Sequence, residues 1–291
     1  MDVGILTFAT ERGITVPDLA RACEERSIES LWVPEHPVVP TGKHTPYPLS
    51  EDGSLPRPYQ ELPDPFAVLA AAAAVTERLK LGTGICLVPE RHPLFTAHQV
   101  ATLDWLSGGR VLFGIGAGWL EEEMNLFNEH FGHRFAYMKE SVAAMRALWS
   151  GEPASFSGKW IEFSGVLCRP APVQQPHPPV ILGGMGPNVR KRVAAYGDGW
   201  MPIASTPAQL AAAKAEIGEL ATANGRDAAA ISYTVMIGAP PGLEQPTLEM
   251  LPDRDACAAY AEAGADRLAI SIPTLGRDET LRHLDAVAGV A

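Results

Sequence analysis

Ser30-Leu31-Trp32-Val33-Pro34-Glu35-His36 is an apolar run of strand length that stops in a proline, a carboxylate and an imidazole. In a chain that alternates strands with helices, residues just past the C-terminal ends of strands face the functional mouth of the sheet. A histidine there can take or give a proton near neutral pH, which a buried packing residue need not do. A lone turn histidine satisfied by solvent would look the same, so the rest of the chain decides the reading.

Outward from this stretch, eight apolar strand-like runs alternate with helical patterns. The runs cover residues 3–8, 30–33, 79–87, 110–115, 180–182, 199–203, 231–237 and 267–272. Helices are predicted over 16–26 with Thr15 as its cap, 65–76, 94–106 ended by Gly108-Gly109, 188–196, 207–223 and 278–288. Strands flanked by helices at this rhythm imply a parallel sheet. Eight such units in 291 residues fit an α/β fold of the (β/α)8 TIM-barrel type better than an open doubly wound sheet. The whole chain, 1–291, reads as one barrel domain. Two segments exceed what a plain barrel needs, one after strand two and one after strand four. Residues 37–63, rich in Pro, Gly, His and Tyr, form an insertion long enough to be a lid. Residues 120–179 predict one or two helices over 121–149, a β-hairpin within 154–172, and an extended proline-rich lead into strand five.

Composition excludes several classes. No apolar run reaches the roughly 18 residues that span a bilayer, and no basic segment followed by an apolar one marks an export signal. Cys23, Cys86, Cys168 and Cys257 show neither CxxC pairing nor zinc-like spacing, and they read as free thiols in a reducing cytoplasm. A net charge of −11 argues against a broad nucleic-acid-binding face. An anionic ligand would need locally placed amides or arginines, because the global field repels it.

Three glycine-rich strand ends carry the remaining signal. Gly82 and Gly84 interrupt strand three, either as a barrel corner or as a backbone shaped to support a flat ring. Strand four ends in Gly114-Ile115-Gly116-Ala117-Gly118-Trp119. This is no dinucleotide fingerprint, because Trp119 stands where its third glycine would fall. Its amides could hydrogen-bond a polar or anionic group at the mouth. Strand five ends in Leu182-Gly183-Gly184-Met185-Gly186-Pro187 before a helix, either a tight turn or a phosphate site. Arg91-His92 faces the mouth as a substrate contact or a helix cap. Glu121-Glu122-Glu123 suits a helix macrodipole without further explanation. Glu129, His130 and His133 lack a third-ligand pattern, so no metal site is expected.

Together, SLWVPEH, LKLGTGICLVPERHP, LSGGRVLFGIGAGWLEEE and PPVILGGMGPNVRKRVAAYGDGWMP resemble the luciferase-like monooxygenase superfamily, over essentially the whole chain. The GAGWLEEE stretch looks most like the branch that uses coenzyme F-420, a deazaflavin whose tail carries phosphate and glutamates. The resemblance implies a hydride-transferring oxidoreductase acting on a small organic substrate. FMN with oxygen is the alternative cofactor chemistry, and a ligand-binding barrel without catalysis is the alternative of another class. It gives His36 and Glu35 the catalytic places beside the ring. Gly84 and Ile85 take the place of a bulge, often cis, that backs the ring. Gly116, Ala117, Gly118, Leu182, Gly183 and Gly184 would line the cofactor, the last two through phosphate-binding amides. Trp119 departs from the sugar-phosphate dehydrogenases, which carry a glutamate there. A homodimer is implied as well, with Arg12, Trp105 or Trp149 at its surface.

Overall fold

A computed structural model describes residues 1–42, 45–48, 50, 52–127, 131–238 and 247–290. The strands are β1 (Asp2–Leu6), β2 (Ser30–Val33), β3 (Lys80–Thr83), β4 (Cys86–Leu87), β5 (Val111–Gly116), β6 (Ala154–Ser157), β7 (Glu162–Val166), β8 (Val180–Gly183), β9 (Gly199–Met201), β10 (Ser232–Gly238) and β11 (Arg267–Ser271). Strands β3-β2-β1-β11-β10-β9-β8-β5 lie side by side, and β3 pairs back to β5. Every one of these pairings is parallel. A closed eight-stranded parallel barrel results, with β4 continuing β3 beyond a break.

That break changes the expected third strand. Leu81 pairs with Val111 and Gly82 with Leu112, but Cys86 already pairs with Ile115. One residue too many sits on the β3–β4 side, which is a bulge, and the Gly84–Ile85 peptide within it is cis.

The helices are α1 (Val16–Glu25), α2 (Pro65–Ala73), α3 (Pro93–Ser107), α4 (Glu121–Phe127), α5 (Arg134–Leu148), α6 (Pro187–Tyr196), α7 (Pro207–Ala223), α8 (Arg254–Glu262) and α9 (Arg277–Ala288). Their starts are written locally: Thr15, Asp64, His92, Thr206 and Asp253 each accept a first-turn N–H. His92 is therefore a cap, the second of its two readings. α8 escaped the sequence reading, because its alanine-rich pattern gives a weak apolar stripe.

Side chains alternate along the strands, as the pleat requires. Ile5, Leu31, Val33, Leu81 and Phe113 point outward into the helix layer. Leu6, Trp32, Leu112, Ile181, Met201 and Met236 fill the barrel. Trp32 is fully buried, and its Nε1 donates to Ser30 Oγ at 2.9 Å. Its ring occupies the place that a Cβ on residue 82 would need. Gly82 thus makes room for an indole of this chain, not for a bound ring. The β6–β7 hairpin, expected within 154–172, hangs from α5: Glu140 accepts the amides of Lys159, Trp160 and Ile161 at 3.0, 2.7 and 2.8 Å. Trp149 is 1% exposed and donates to Ala97 O, so it cannot lie on an outer surface. Among the described residues no helix is long and apolar enough to cross a membrane.

Candidate active site

A cavity of about 610 Å³ opens at the C-terminal end of the barrel. Strand ends supply most of its wall: Glu35 and His36 after β2, Gly84 and Ile85 in the bulge, Gly116 to Trp119 after β5, and Gly183 to Met185 after β8. The insertions add Pro48, Tyr59 and Phe135, and α6 adds Asn188, Val189 and Arg192. Leu182 does not belong here. It is fully buried and points outward into the helix layer, because Ile181 takes the inward position of the pleat.

The glycines at the ends of β5 and β8 divide into two kinds. A Cβ on Gly116 would collide with the Ile85 side chain, and one on Gly183 would lie 2.9 Å from Ile85 Cγ2. Both glycines therefore seat Ile85, which stands at the cavity floor. Gly184 and Gly186 have φ of +115° and +91°, and nothing lies within 4 Å of a Cβ on Gly186. Among the described glycines around the cavity, those of this turn leave the backbone most open. The Gly184 N–H leans toward Met201 O at 3.4 Å. Gly186 caps α6 without a side-chain hydrogen bond, so first-turn amides such as Asn188 and Val189 are left for a ligand or water.

His36 is 8% exposed, and its Nδ1 lies 2.5 Å from Oε2 of Glu123, which is fully buried in the first turn of α4. Glu123 Oε1 also accepts the Val38 N–H at 3.4 Å. Neighbouring Glu122 accepts the Thr45 amide and hydroxyl, each at 3.0 Å. The acidic run is thus more than a dipole complement. It holds the imidazole and ties the start of the 37–63 insertion over the mouth. Sequence spacing concealed Glu123, which is 87 positions from its partner. The available signal was its place one turn beyond a glycine-rich strand end.

Glu35 borders the cavity with both carboxylate oxygens engaged. Oε2 accepts the Leu87 N–H at 2.7 Å, and Oε1 accepts Arg91 Nε at 2.6 Å, with Arg91 Nη2 on the same oxygen. Arg91 also reaches Asp64 at 2.9 Å and Gln99 at 3.0 Å, and it lies over the Phe66 ring. The pair joins the end of β2 to β4 and so fixes the bulge beneath the cavity. Arg91 is no free substrate contact.

Glu90 lies behind the same wall, its Oε1 3.2 Å from where a Gly118 Cβ would stand. It is 6% exposed, and neither oxygen has a partner among the described residues. Burial, then the charges of Glu123 and Glu35, push its carboxyl up to about 9, against the opposing pull of Arg91. Glu90 is a neutral acid at physiological pH.

Around His36 the wall is aromatic. Tyr59 and Trp119 lie 5.2 and 6.0 Å from the imidazole, and the Tyr47 and Tyr59 hydroxyls are 2.7 Å apart. Burial pushes both phenols up. Of the metal readings, Glu129 and His130 lie outside the described residues. His133 is exposed, and no group of metal-ligating side chains occurs among the described residues.

The closed parallel barrel thus gathers a strand-end imidazole, a bulge and an open glycine turn around one cavity at its C-terminal end. The luciferase-like monooxygenase family profile matches residues 1–245, and the chain belongs to that family. An uncharacterized protein of Mycobacterium tuberculosis is 33% identical over 99% of this chain and 98% of its own length. The F-420-dependent glucose-6-phosphate dehydrogenase of Nocardia farcinica is 31% identical over 63% of this chain and 51% of its own. Among solved structures, monooxygenase RslO1 from Streptomyces bottropensis superposes with a TM-score of 0.77 at 21% identity, covering 99% of this chain and 98% of its own.

Proposed function

We propose that this protein is an oxidoreductase that uses coenzyme F-420 to move a hydride to or from a C=C, C=O or C=N group of a small organic substrate, with His36 exchanging the accompanying proton. The observation that carries the reading is the His36–Glu123 pair in the wall of a cavity whose opposite end is an open glycine turn. The residues fit such a cofactor: Ile85 offers a flat apolar floor, and the Gly184–Asn188 turn offers backbone amides for a phosphate. When bound, coenzyme F-420 supplies the hydride chemistry.

The chain's own residues supply the rest. A buried carboxylate at Nδ1 holds the ring proton there and assigns Nε2 as the nitrogen that works toward the cavity. Glu35, held by Arg91 and Leu87 N–H, positions the bulge and exchanges no proton. Tyr47, Tyr59 and Trp119 exclude water above His36. Trp119 replaces the glutamate of sugar-phosphate dehydrogenases, which favours an uncharged organic substrate over a sugar phosphate.

The likeness to the Nocardia dehydrogenase supports the deazaflavin. The fold shared with a monooxygenase keeps an FMN- and oxygen-using enzyme as the second reading. Fluorescence titration of the purified protein with coenzyme F-420 and FMN in parallel tests both. Tighter F-420 binding is expected, whereas tighter FMN binding with oxygen consumption would replace the proposal. Operation of 1–291 as one unit, and as a homodimer, belongs to the same proposal and is read by light scattering.

A further inference from the structure

A chain of net charge −11 must recruit an anion with local cations. At the reacting end of the cavity the one nearby guanidinium, Arg91, is already paired with Glu35 and Asp64. At the glycine-turn end the situation is reversed. Arg192 stands one helical turn after Asn188 on α6, so both share the face that lines the cavity. Its guanidinium carbon lies 3.7 Å from the centroid of the Phe135 ring, also in the wall, and that of Arg134 lies 4.6 Å from the same centroid.

Neither arginine forms an ion pair with a carboxylate among the described residues. Arg134 spends one donor on Phe131 O at 2.9 Å, and its buried Nε has no partner among the described residues. Burial first, then the charge of Arg192, holds the Arg134 guanidinium below its usual value, with Glu121 opposing. Burial does the same to Arg192, with Tyr196 opposing. Two cations crowded on one ring without a counter-ion are an arrangement that a bound anion relieves. Planar guanidinium donors suit carboxylate and phosphate oxygens alike.

We propose that Arg192, braced on Phe135 and doubled by Arg134, is a cationic clamp for anionic groups of the cofactor tail beyond the phosphate at the Gly184–Asn188 turn. This rests on the deazaflavin reading and deepens it: the clamp selects a phosphate-and-glutamate tail over the shorter FMN monophosphate. Arg192 packs on Phe135 and Arg134 between Phe135 and Phe131, 3.9 Å from the latter's centroid, so the tail meets donors already held in place.

The test is binding, read by fluorescence, for the wild type and for Arg192→Gln, Arg134→Gln and Arg192→Lys. The probes are coenzyme F-420, its ribityl deazaflavin core without phosphate or glutamates, and FMN. Arg192→Gln is expected to weaken F-420 by roughly tenfold through loss of a charge-assisted contact. It should leave the core unchanged and shrink the loss of F-420 affinity as salt rises. Arg134→Gln should act in the same direction less strongly, and Arg192→Lys should fall between. An equal loss for F-420 and core would make Arg192 a mere packing residue and overturn the clamp, as would undiminished F-420 binding. A wild type that binds F-420 yet shows FMN affinity as high overturns the selection alone. A wild type that binds no F-420 at all removes the deazaflavin reading before any variant is compared.

Discussion

The two ends of the cavity treat charge in opposite ways. Around His36, the polar groups hold one another among the described residues: Glu123 holds the imidazole, and Glu35 and Asp64 hold Arg91. Glu90, whose carboxyl has no partner among the described residues, stays protonated. Around Phe135, two guanidinium groups stand without a carboxylate partner among the described residues. An end that is neutralised in advance keeps its geometry whether or not a ligand is bound, which suits proton exchange. An end left uncompensated gains most when an anion arrives, which suits binding.

The largest loss of stability should come from breaking the neutralised end. Glu35→Ala removes the buried partner of Arg91, leaving it the more exposed Asp64, and is expected to destabilise the fold by about 3 kcal/mol, measured by denaturant unfolding. A loss below about 1 kcal/mol, typical of an exposed pair, would show that this end is not pre-compensated. Next, His36→Asn should lower turnover at least 100-fold, about 2.7 kcal/mol in the barrier, while the affinity for the cofactor in titration stays within about twofold. A slight fall in turnover would remove His36 from the proton exchange.

Glu90→Gln sharpens the comparison with the opposite sign. The Glu90 carboxyl stands at about 9 in the folded protein against an ordinary value of 4.5. Across that window the folded chain holds a proton that the unfolded chain has released, so rising pH lowers stability, and the penalty levels off above about 9. The amide has no such penalty. The variant should gain several kcal/mol near pH 8.5, up to about 5 by linkage, and under about 1 kcal/mol near pH 5. Thermal unfolding at the two pH values reads the difference, and equal gains would mean that Glu90 ionises normally. The smallest effect belongs to the open end, where Arg192→Gln should change stability by under about 0.5 kcal/mol in the same unfolding assay. A larger loss would mean that Arg192 is already engaged in holding the fold.

Much of this architecture is legible in residue order, and the failures are local. The alternation of apolar runs identified all eight barrel positions, and the cavity collects His36, Glu35, Gly84, Ile85, Gly116, Ala117, Gly118, Gly183 and Gly184 as expected from strand ends. Leu182 failed because membership of a motif was weighed above the two-residue period that turns it outward. Gly82 failed because the group that fills its space, the Trp32 indole, arrives from a neighbouring strand. Glu123 failed because an acid in the first turn of a helix satisfies the macrodipole and raises no local conflict. Arg192 raised no signal, since it ends a run of three basic residues, Arg190-Lys191-Arg192, whose order does not say which of them reaches the cavity.

Strand periodicity, caps and glycine turns depend on neighbours within a few residues, so the barrel and the composition of its mouth were determined before any tertiary contact. Partner choice was not. β3 and β4 lie between β2 and β5, and only closure of the barrel brings His36 to Glu123, Trp32 over Gly82 and Arg192 beside Phe135. Those pairs depend on burial and on distance in space, and residue order carries neither.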